Sequence, residues 1–322
     1  MSPRRFARID ALLLLMTVIW GTNYSIAKHA FRELDPQAFN AVRMLLASSV
    51  FLAVIIGMRW RAPQAPTGGN TEVTSIFYTP AELTRRDWLW LAGLGVIGQC
   101  FYQYLFVGGL ARTSVANSAL MIAVTPVLIA LLSAALGQDR IGGWHWLGAA
   151  LSLSGIYLVV GQAGQGAEGS SVRGDLMMFA SVCCWAIYTL GARPLMRHHS
   201  PVGVTGLSMA IGTALYVPLV FPHLRAVNWT TVSGGTWIAL VYSALFALCV
   251  AYTIWYAAVR EIGSARTSVY SNLVPVVALL TAMIFLQEPL SGRKLAGAAA
   301  VLIGVALTRL GKSERHVTMS GQ

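Results

Sequence analysis

Charge is scarce in this sequence: 11% of its 322 residues are Asp, Glu, Lys or Arg, against about a quarter in soluble domains. With 56% hydrophobic residues and a mean hydropathy of +0.63, that scarcity excludes an ordinary water-soluble globule. No polar hinge divides the chain into two soluble cores. Acids are scarcest, 12 against 23 Lys and Arg. None sits at the centre of an apolar run, so the usual carboxylate of an intramembrane proton relay is missing, and end-located acids such as Glu261 are the remaining candidates for ion coupling. The four cysteines, Cys100, Cys183, Cys184 and Cys249, all fall in apolar stretches without CxxC spacing, which excludes a disulfide framework or a CxxC metal site. They read as small apolar fillers. No Ser-His-Asp or paired-carboxylate grouping occurs at a plausible depth, so neither an enzyme nor a cofactor or metal is expected. His198 and His199 read as part of a solvated turn. The formal charge of +11 is spread singly between apolar runs rather than along a basic stripe, which argues against a nucleic-acid partner.

What the chain does have is long apolar runs. A hydrocarbon core about 30 Å thick needs about 20 apolar residues per helix, and ten such runs are legible: 10–30, 37–58, 88–110, 114–136, 144–161, 175–196, 203–222, 235–258, 265–287 and 292–310. The fold class is therefore an all-α integral membrane protein with ten transmembrane helices, its partner the lipid bilayer. The first run follows Arg4, Arg5 and Arg8 like a signal sequence, but it is too long and lacks a convincing cleavage site. Lys and Arg accumulate in cytoplasmic loops. With the N-terminus inside, 15 of the 23 basic residues fall on the cytoplasmic side and seven outside, leaving Arg43 alone within a span. Both termini are then cytoplasmic, in the inner (plasma) membrane.

The second half repeats the first. At a constant offset of 149, Trp88 matches Trp237, Pro126 Pro275, Gln138 Gln287, Asp139 Glu288, Gly148 Gly297 and Gly155 Gly304. At the front of each half the offset is 165, pairing Arg8 with Arg173, Asp10 with Asp175, Trp20 with Trp185 and Pro36 with Pro201. The difference reflects a longer loop, 59–87, expected to be a flexible cytoplasmic segment. The domains are then 1–162, a Gly-rich linker 163–174, a second repeat 175–311 and a tail 312–322. Five spans per copy is an odd number, so the copies enter the membrane from opposite sides. Two inverted repeats with a site near the midplane is an architecture of secondary transporters.

Several stretches carry a family resemblance: "IWGTNYSIAK" (Ile19 to Lys28), "FNAVRMLLA" (Phe39 to Ala47), "TPVLIALLSAALGQDRI" with "LGAALSLSGIYLVV", and their echo from Val274 to Leu310. The chain resembles a ten-helix, EamA-type permease of the drug/metabolite transporter superfamily. The departures are "GQDRI", where "GEP" or "GER" types are common, and the long 59–87 loop. The resemblance implies carriage of small metabolites, often export of amino acids or their relatives across a bacterial inner membrane.

Polar side chains at membrane depth face a bundle interior or a water-filled cavity. Trp20, Asn23 and Tyr24 share one helical face, and Trp185 and Tyr188 repeat that spacing. Gln99, Tyr102 and Gln103 form a second stripe, with Tyr252, Trp255 and Tyr256 as its counterpart; Gln103 and Tyr252 occupy equivalent positions. Asn117, Tyr270 and Asn272 sit near span breaks. Arg43 could grip a carboxylate or phosphate or snorkel to the interface. Pro126 and Pro275 each remove a helical donor and mark kinks or hinges. "GLGVIG" (Gly93 to Gly98) matches a dinucleotide fingerprint but lies inside a span without the strand it requires, so helix packing explains it better. Lys28, His29, Asp10, Asp175, Glu261 and Arg266 are expected near the wet span ends.

The expectation is a secondary transporter that exports a small metabolite, such as an amino acid or related compound, by alternating access, as a monomer or homodimer. The alternatives are a multidrug exporter for lipophilic cations, suited by cation–π contacts, and a non-transporting membrane scaffold or receptor.

Overall fold

A computed structural model describes residues 3–61, 75–78, 81–135, 143–160, 171–262, 267, 270–271, 273–287 and 292–310. Among these residues the regular structure is helical, without strands. In lipid a spanning backbone must satisfy its own polar groups, and a helix does so segment by segment. The helices are α1 (Pro3–Ala30), α2 (Pro36–Arg61), α3 (Arg85–Arg112), α4 (Val115–Ile122), α5 (Thr125–Ala135), α6 (Gly143–Val160), α7 (Val172–Leu195), α8 (Pro201–Leu219), α9 (Phe221–Ala226), α10 (Gly234–Ile262), α11 (Val274–Leu286) and α12 (Gly292–Leu310). Hydroxyls cap many of the starts: Ser114, Ser171, Ser200 and Ser233 each accept from a backbone amide three residues on, and Thr84 forms a capping box with Asp87. Inside the spans, Thr17, Thr22 and Ser49 return their hydroxyls to the carbonyl four residues back, which hides a polar group within an apolar helix.

Six helices are long and apolar enough to cross a membrane: Arg8–Ala30, Pro36–Trp60, Arg85–Arg112, Val172–Leu195, Pro201–Leu219 and Gly234–Ile262. Expected spans five and ten are the single helices α6 and α12, of 18 and 19 residues, whereas expected spans four and nine are represented by shorter pieces, and their loss of length has a local cause. Expected span four is interrupted at Ala123 and Val124, where α4 stops and α5 restarts with Pro126 as its second residue. The same device recurs 149 residues later, where α11 starts at Val274 followed by Pro275. Helix α3 contains a π-helical segment, Gly95–Phe101, and α10 a matching one, Ser243–Val250. The outer surface is apolar, with Leu12, Leu15, Val18, Leu89, Ile238 and Phe285 all exposed. Exposed tryptophans near helix ends, Trp60, Trp88, Trp90, Trp144 and Trp146, suit the headgroup layer.

Two expected loops are partly structured. From the 59–87 segment, Ile76 accepts a hydrogen bond from the Val202 amide (3.1 Å) and Ser75 accepts one from Arg260 (3.2 Å), so residues 75–78 dock on α8 and α10. The helices also take back both ends of the expected loop, α2 reaching Arg61 and α3 starting at Arg85. At the linker, Ser171 donates through both its amide and its hydroxyl to the Arg112 carbonyl, and α7 begins at once. Of these two segments, residues 62–74, 79–80 and 163–170 lie outside the described residues.

Close helix crossings use glycine. A Cβ built on Gly155 would fall 2.7 Å from the Gly297 carbonyl, so α6 and α12 pack backbone to backbone. Two of the three "GLGVIG" glycines let α3 approach its neighbours: Gly95 lies against Ser208 and Ile211 of α8, and Gly98 against the Tyr188 ring of α7. At one end of the bundle Glu33 accepts from the Ser233 amide (3.0 Å) and from the hydroxyls of Ser233 and Thr236 (3.0 and 2.8 Å), clasping the α1–α2 turn to the start of α10. The Ser233 amide and hydroxyl, followed by Thr236, hold this carboxyl below its ordinary range. The clasp is therefore present at neutral pH and is lost as pH falls through that depressed value.

Candidate functional site

In the middle of the bundle a cavity of ≈ 50 Å³ has room for only a few waters. Its wall comes from Trp20, Asn23 and Tyr24 of α1, Arg43 of α2, Tyr102, Gln103 and Phe106 of α3, Trp185 of α7, and Ala247, Leu248 and Tyr252 of α10. The two helix interruptions complete it, with Ile122 and Thr125 from one and Ser271 and Val274 from the other. Proline supplies no amide donor and forbids the preceding helical turn, so both breaks fall where the chain must open around a central space.

Aromatic rings form one side. Trp20 meets Trp185 edge-on at 5.8 Å and Trp255 at 5.5 Å, while Trp185 lies 5.2 Å from both Tyr102 and Tyr252. The Trp20 indole donates to the Ala247 carbonyl (3.0 Å), within the π segment of α10. The other side is polar. Arg43, 2% exposed, donates to Asn40 Oδ1 (2.7 Å), Ser243 Oγ (2.8 Å) and Gln103 Oε1 (2.7 Å). Its guanidinium therefore turns inward and does not snorkel. Gln103 in turn donates to the Tyr252 hydroxyl (3.3 Å). Two buried polar atoms on the wall, Asn23 Oδ1 and Thr125 Oγ1, have no hydrogen-bond partner.

Residues that the sequence offsets pair with one another also touch. Trp20 meets Trp185 and Ser48 shares a 2.7 Å hydrogen bond with Thr213, both 165 apart; Gln103 meets Tyr252, 149 apart.

The expected site residues are thus divided. Trp20, Asn23, Tyr24, Arg43, Tyr102, Gln103, Trp185 and Tyr252 come together on the wall, and Trp255 backs the ring cluster. Gln99 and Tyr188 are buried off it, Tyr188 bonded to Ser208 Oγ at 2.7 Å. Asn117 and Tyr270 go to opposite ends of the bundle, Asn117 to Asp175 and Tyr270 to Asp10. Asn272 and Arg266 lie outside the described residues. Asp175 was expected to be wet but is 1% exposed, accepting from the Thr113 hydroxyl and from Asn117 Nδ2 (3.3 and 3.4 Å). His199 is likewise buried, its ring 3.4 Å from Asp87; among the described residues no group of three metal-ligating side chains occurs. Wall residues that sequence reasoning passed over include Phe106, Thr125, Ser271 and Val274. Proximity to Pro126 and Pro275 was the available signal for the last three.

The sequence profile of the EamA-like transporter family matches residues 7–161 and 172–310, most of the chain and both sides of the cavity. The chain belongs to the EamA-like transporter family. Among its relatives, "Uncharacterized transporter YyaM" of Bacillus subtilis is 27% identical over 92% of this chain and 92% of that protein. A Salmonella typhimurium protein named "Probable amino-acid metabolite efflux pump" is 24% identical over 96% of this chain and 98% of its own length. A crystal structure with 21% sequence identity shares the fold, with a TM-score of 0.62 over 96% of this chain and 99% of that one. This EamA-like protein is accordingly a multi-pass membrane protein of a transporter family, and the wall of its central cavity is its candidate substrate site.

Proposed function

We propose that this protein exports a small metabolite, an amino acid or a related compound, across the inner membrane by alternating access. In this reading ten spans form two inverted five-span repeats, both termini are cytoplasmic, and the substrate binds between the repeats. One observation carries it: equivalent residues, Trp20 with Trp185 and Gln103 with Tyr252, meet at the cavity. Equivalent positions of two related units touch only where a symmetry axis passes between them, which supports an axis through the cavity, as expected of a site that either copy can expose. The repeated break before Val274 and the repeated π segment support the same relation. Export of an amino-acid metabolite is supported by the name of the Salmonella relative. Lipophilic-cation export is disfavoured by the positive charge of Arg43 on the wall, despite the aromatic cluster.

Two measurements test this. In a cysteine-free background, Arg86→Cys and Arg197→Cys should label from one face of the membrane, and Arg32→Cys and Arg225→Cys from the other. Labelling of Arg86→Cys and Arg197→Cys from opposite faces would overturn the inverted arrangement. In proteoliposomes loaded with a metabolite panel, with and without a pH gradient, Asn23→Ala, Gln103→Ala and Tyr252→Ala should each reduce flux of the transported metabolite about tenfold, the cost of one lost hydrogen bond in a dry site. Unchanged flux in all three would remove the cavity from the pathway.

A further inference from the structure

Arg43 stands in a peculiar electrostatic position. Its Nε, Nη1 and Nη2 donate to three neutral oxygens on α2, α10 and α3, and the face of Phe39 lies 6.0 Å from its guanidinium carbon. Neutral acceptors orient a guanidinium, but they do not cancel its charge, and a buried charge is costly unless it meets its opposite. Among the described residues no carboxylate pairs with Arg43. The acids of the bundle stand at its ends, where Asp10, Glu33, Asp35 and Asp175 each have other partners. Around the same cavity lie two acceptor-capable atoms without partners, Asn23 Oδ1 and Thr125 Oγ1, and the rings of Trp20, Trp185 and Tyr252.

We propose that the substrate itself brings the missing counter-charge: a small molecule bound through a carboxylate, which Arg43 holds by a charge-assisted hydrogen bond from Nη2. The inference rests on the cavity being the transport site and adds the chemical class of what enters it. The carboxylate takes the Nη2 contact now made by Gln103, which stays tied to Tyr252 through its amide nitrogen. Asn23 Oδ1, an acceptor facing the wall, is placed to receive an N–H such as an ammonium. The aromatic faces complement that ammonium by cation–π attraction or cover an apolar side chain. The site thus reads three parts of an amino acid with three different surfaces. Asn40 and Ser243 keep the guanidinium aimed while the substrate comes and goes.

The experiment uses the purified full chain with a panel of L-amino acids, short monocarboxylates and the matching amides, in which only the negative charge is removed. Binding is read as thermal stabilisation in detergent, and transport as counterflow in proteoliposomes. At least one carboxylate should stabilise the wild-type protein, with its amide weaker by about thirtyfold or more, the scale of losing one partner of a buried charge pair. Arg43→Gln should weaken the carboxylate by a similar factor and erase its preference over the amide. A purely structural Arg43 would instead lower both probes together, and that result overturns the proposal. So does a wild-type protein that prefers amides, or one that no carboxylate stabilises; both of these readings need only the wild-type chain, so a misfolded variant does not shield the idea. Carboxylate binding without counterflow would sink the transport reading while leaving the carboxylate site in place.

Discussion

Gly98→Leu should leave no monodisperse protein after detergent extraction, and Gly98→Ala should lower the apparent melting temperature clearly, whereas Gly93→Ala, in the same "GLGVIG" stretch, should not. A Cβ at position 98 would lie 2.2 Å from two atoms of the Tyr188 ring and 2.7 Å from its Cβ. The ring cannot withdraw: its hydroxyl is bonded to Ser208 Oγ at 2.7 Å, and Trp185 and Tyr256 hold it from the sides at 6.0 and 5.4 Å. The clash involves the root of the side chain, so rotating its far end gives no relief. Overpacking of a tight core typically costs about 1–3 kcal/mol, occasionally more. Position 93 has no atom within 4 Å of a built Cβ, and alanine there gains up to ~1 kcal/mol of helix propensity. Fluorescence-detected size exclusion after graded heating separates the three proteins. Equal behaviour of Gly93→Ala and Gly98→Ala would show that the crossing of α3 over α7 is not as close as the structure has it.

That contrast marks what a sequence can reveal here. Two glycines five residues apart read alike as permissive small residues; only the neighbour 90 positions later distinguishes them. The apolar runs were legible because lipid demands length and hydropathy within one contiguous segment, and α1, α2, α7 and α8 follow closely where the runs were expected. The constant offsets of 149 and 165 could be read because a register is a property of the string alone. The π segments of α3 and α10 were not, since widening a turn changes which carbonyl an amide reaches without changing composition. Pro126 signalled an interruption but not that the break would line the cavity with Thr125. Arg43 shows the limit most plainly. Its depth followed from counting residues after Pro36, but its long stem allowed either direction, and the acceptors that settle it, Gln103 and Ser243, lie 60 and 200 positions away. Asp175 looked like a wet span end for the same reason: hydropathy registers the charge, not the Thr113 and Asn117 groups that fold over it.

Asp175 and Asp10, which the 165 offset pairs, carry the second large effect, a test of the proposed alternation of access. Tyr270, just before the α11 break, donates to Asp10 near the start of α1 at 2.6 Å. Thr113 and Asn117, at the start of the broken α4, donate to Asp175 near the start of α7. These latches stand at opposite ends of the bundle. Lys28 at the far end of α1 reaches the carbonyls of Leu110 and Thr113, and 18 residues of helix separate it from Asp10, about 27 Å. The cavity of ≈ 50 Å³ lies between the two latches. In the alternating-access reading, opening one end must release one latch and keep the other. Tyr270→Phe removes a single hydroxyl donor from the first latch, and Thr113→Val removes one from the second without changing side-chain volume. Each bond to an ionised carboxylate is worth about 1.5–3 kcal/mol, so each variant should shift the balance roughly 10–100-fold toward exposure at its own end. The reporter is a cysteine on the cavity wall, Ala247→Cys, labelled by an impermeant maleimide in vesicles of either orientation. Tyr270→Phe should speed labelling from the Asp10 face and slow it from the other, and Thr113→Val should do the reverse. Acceleration from the same face in both variants would mean that the two aspartates are not opposed gates but separate ties within one static bundle.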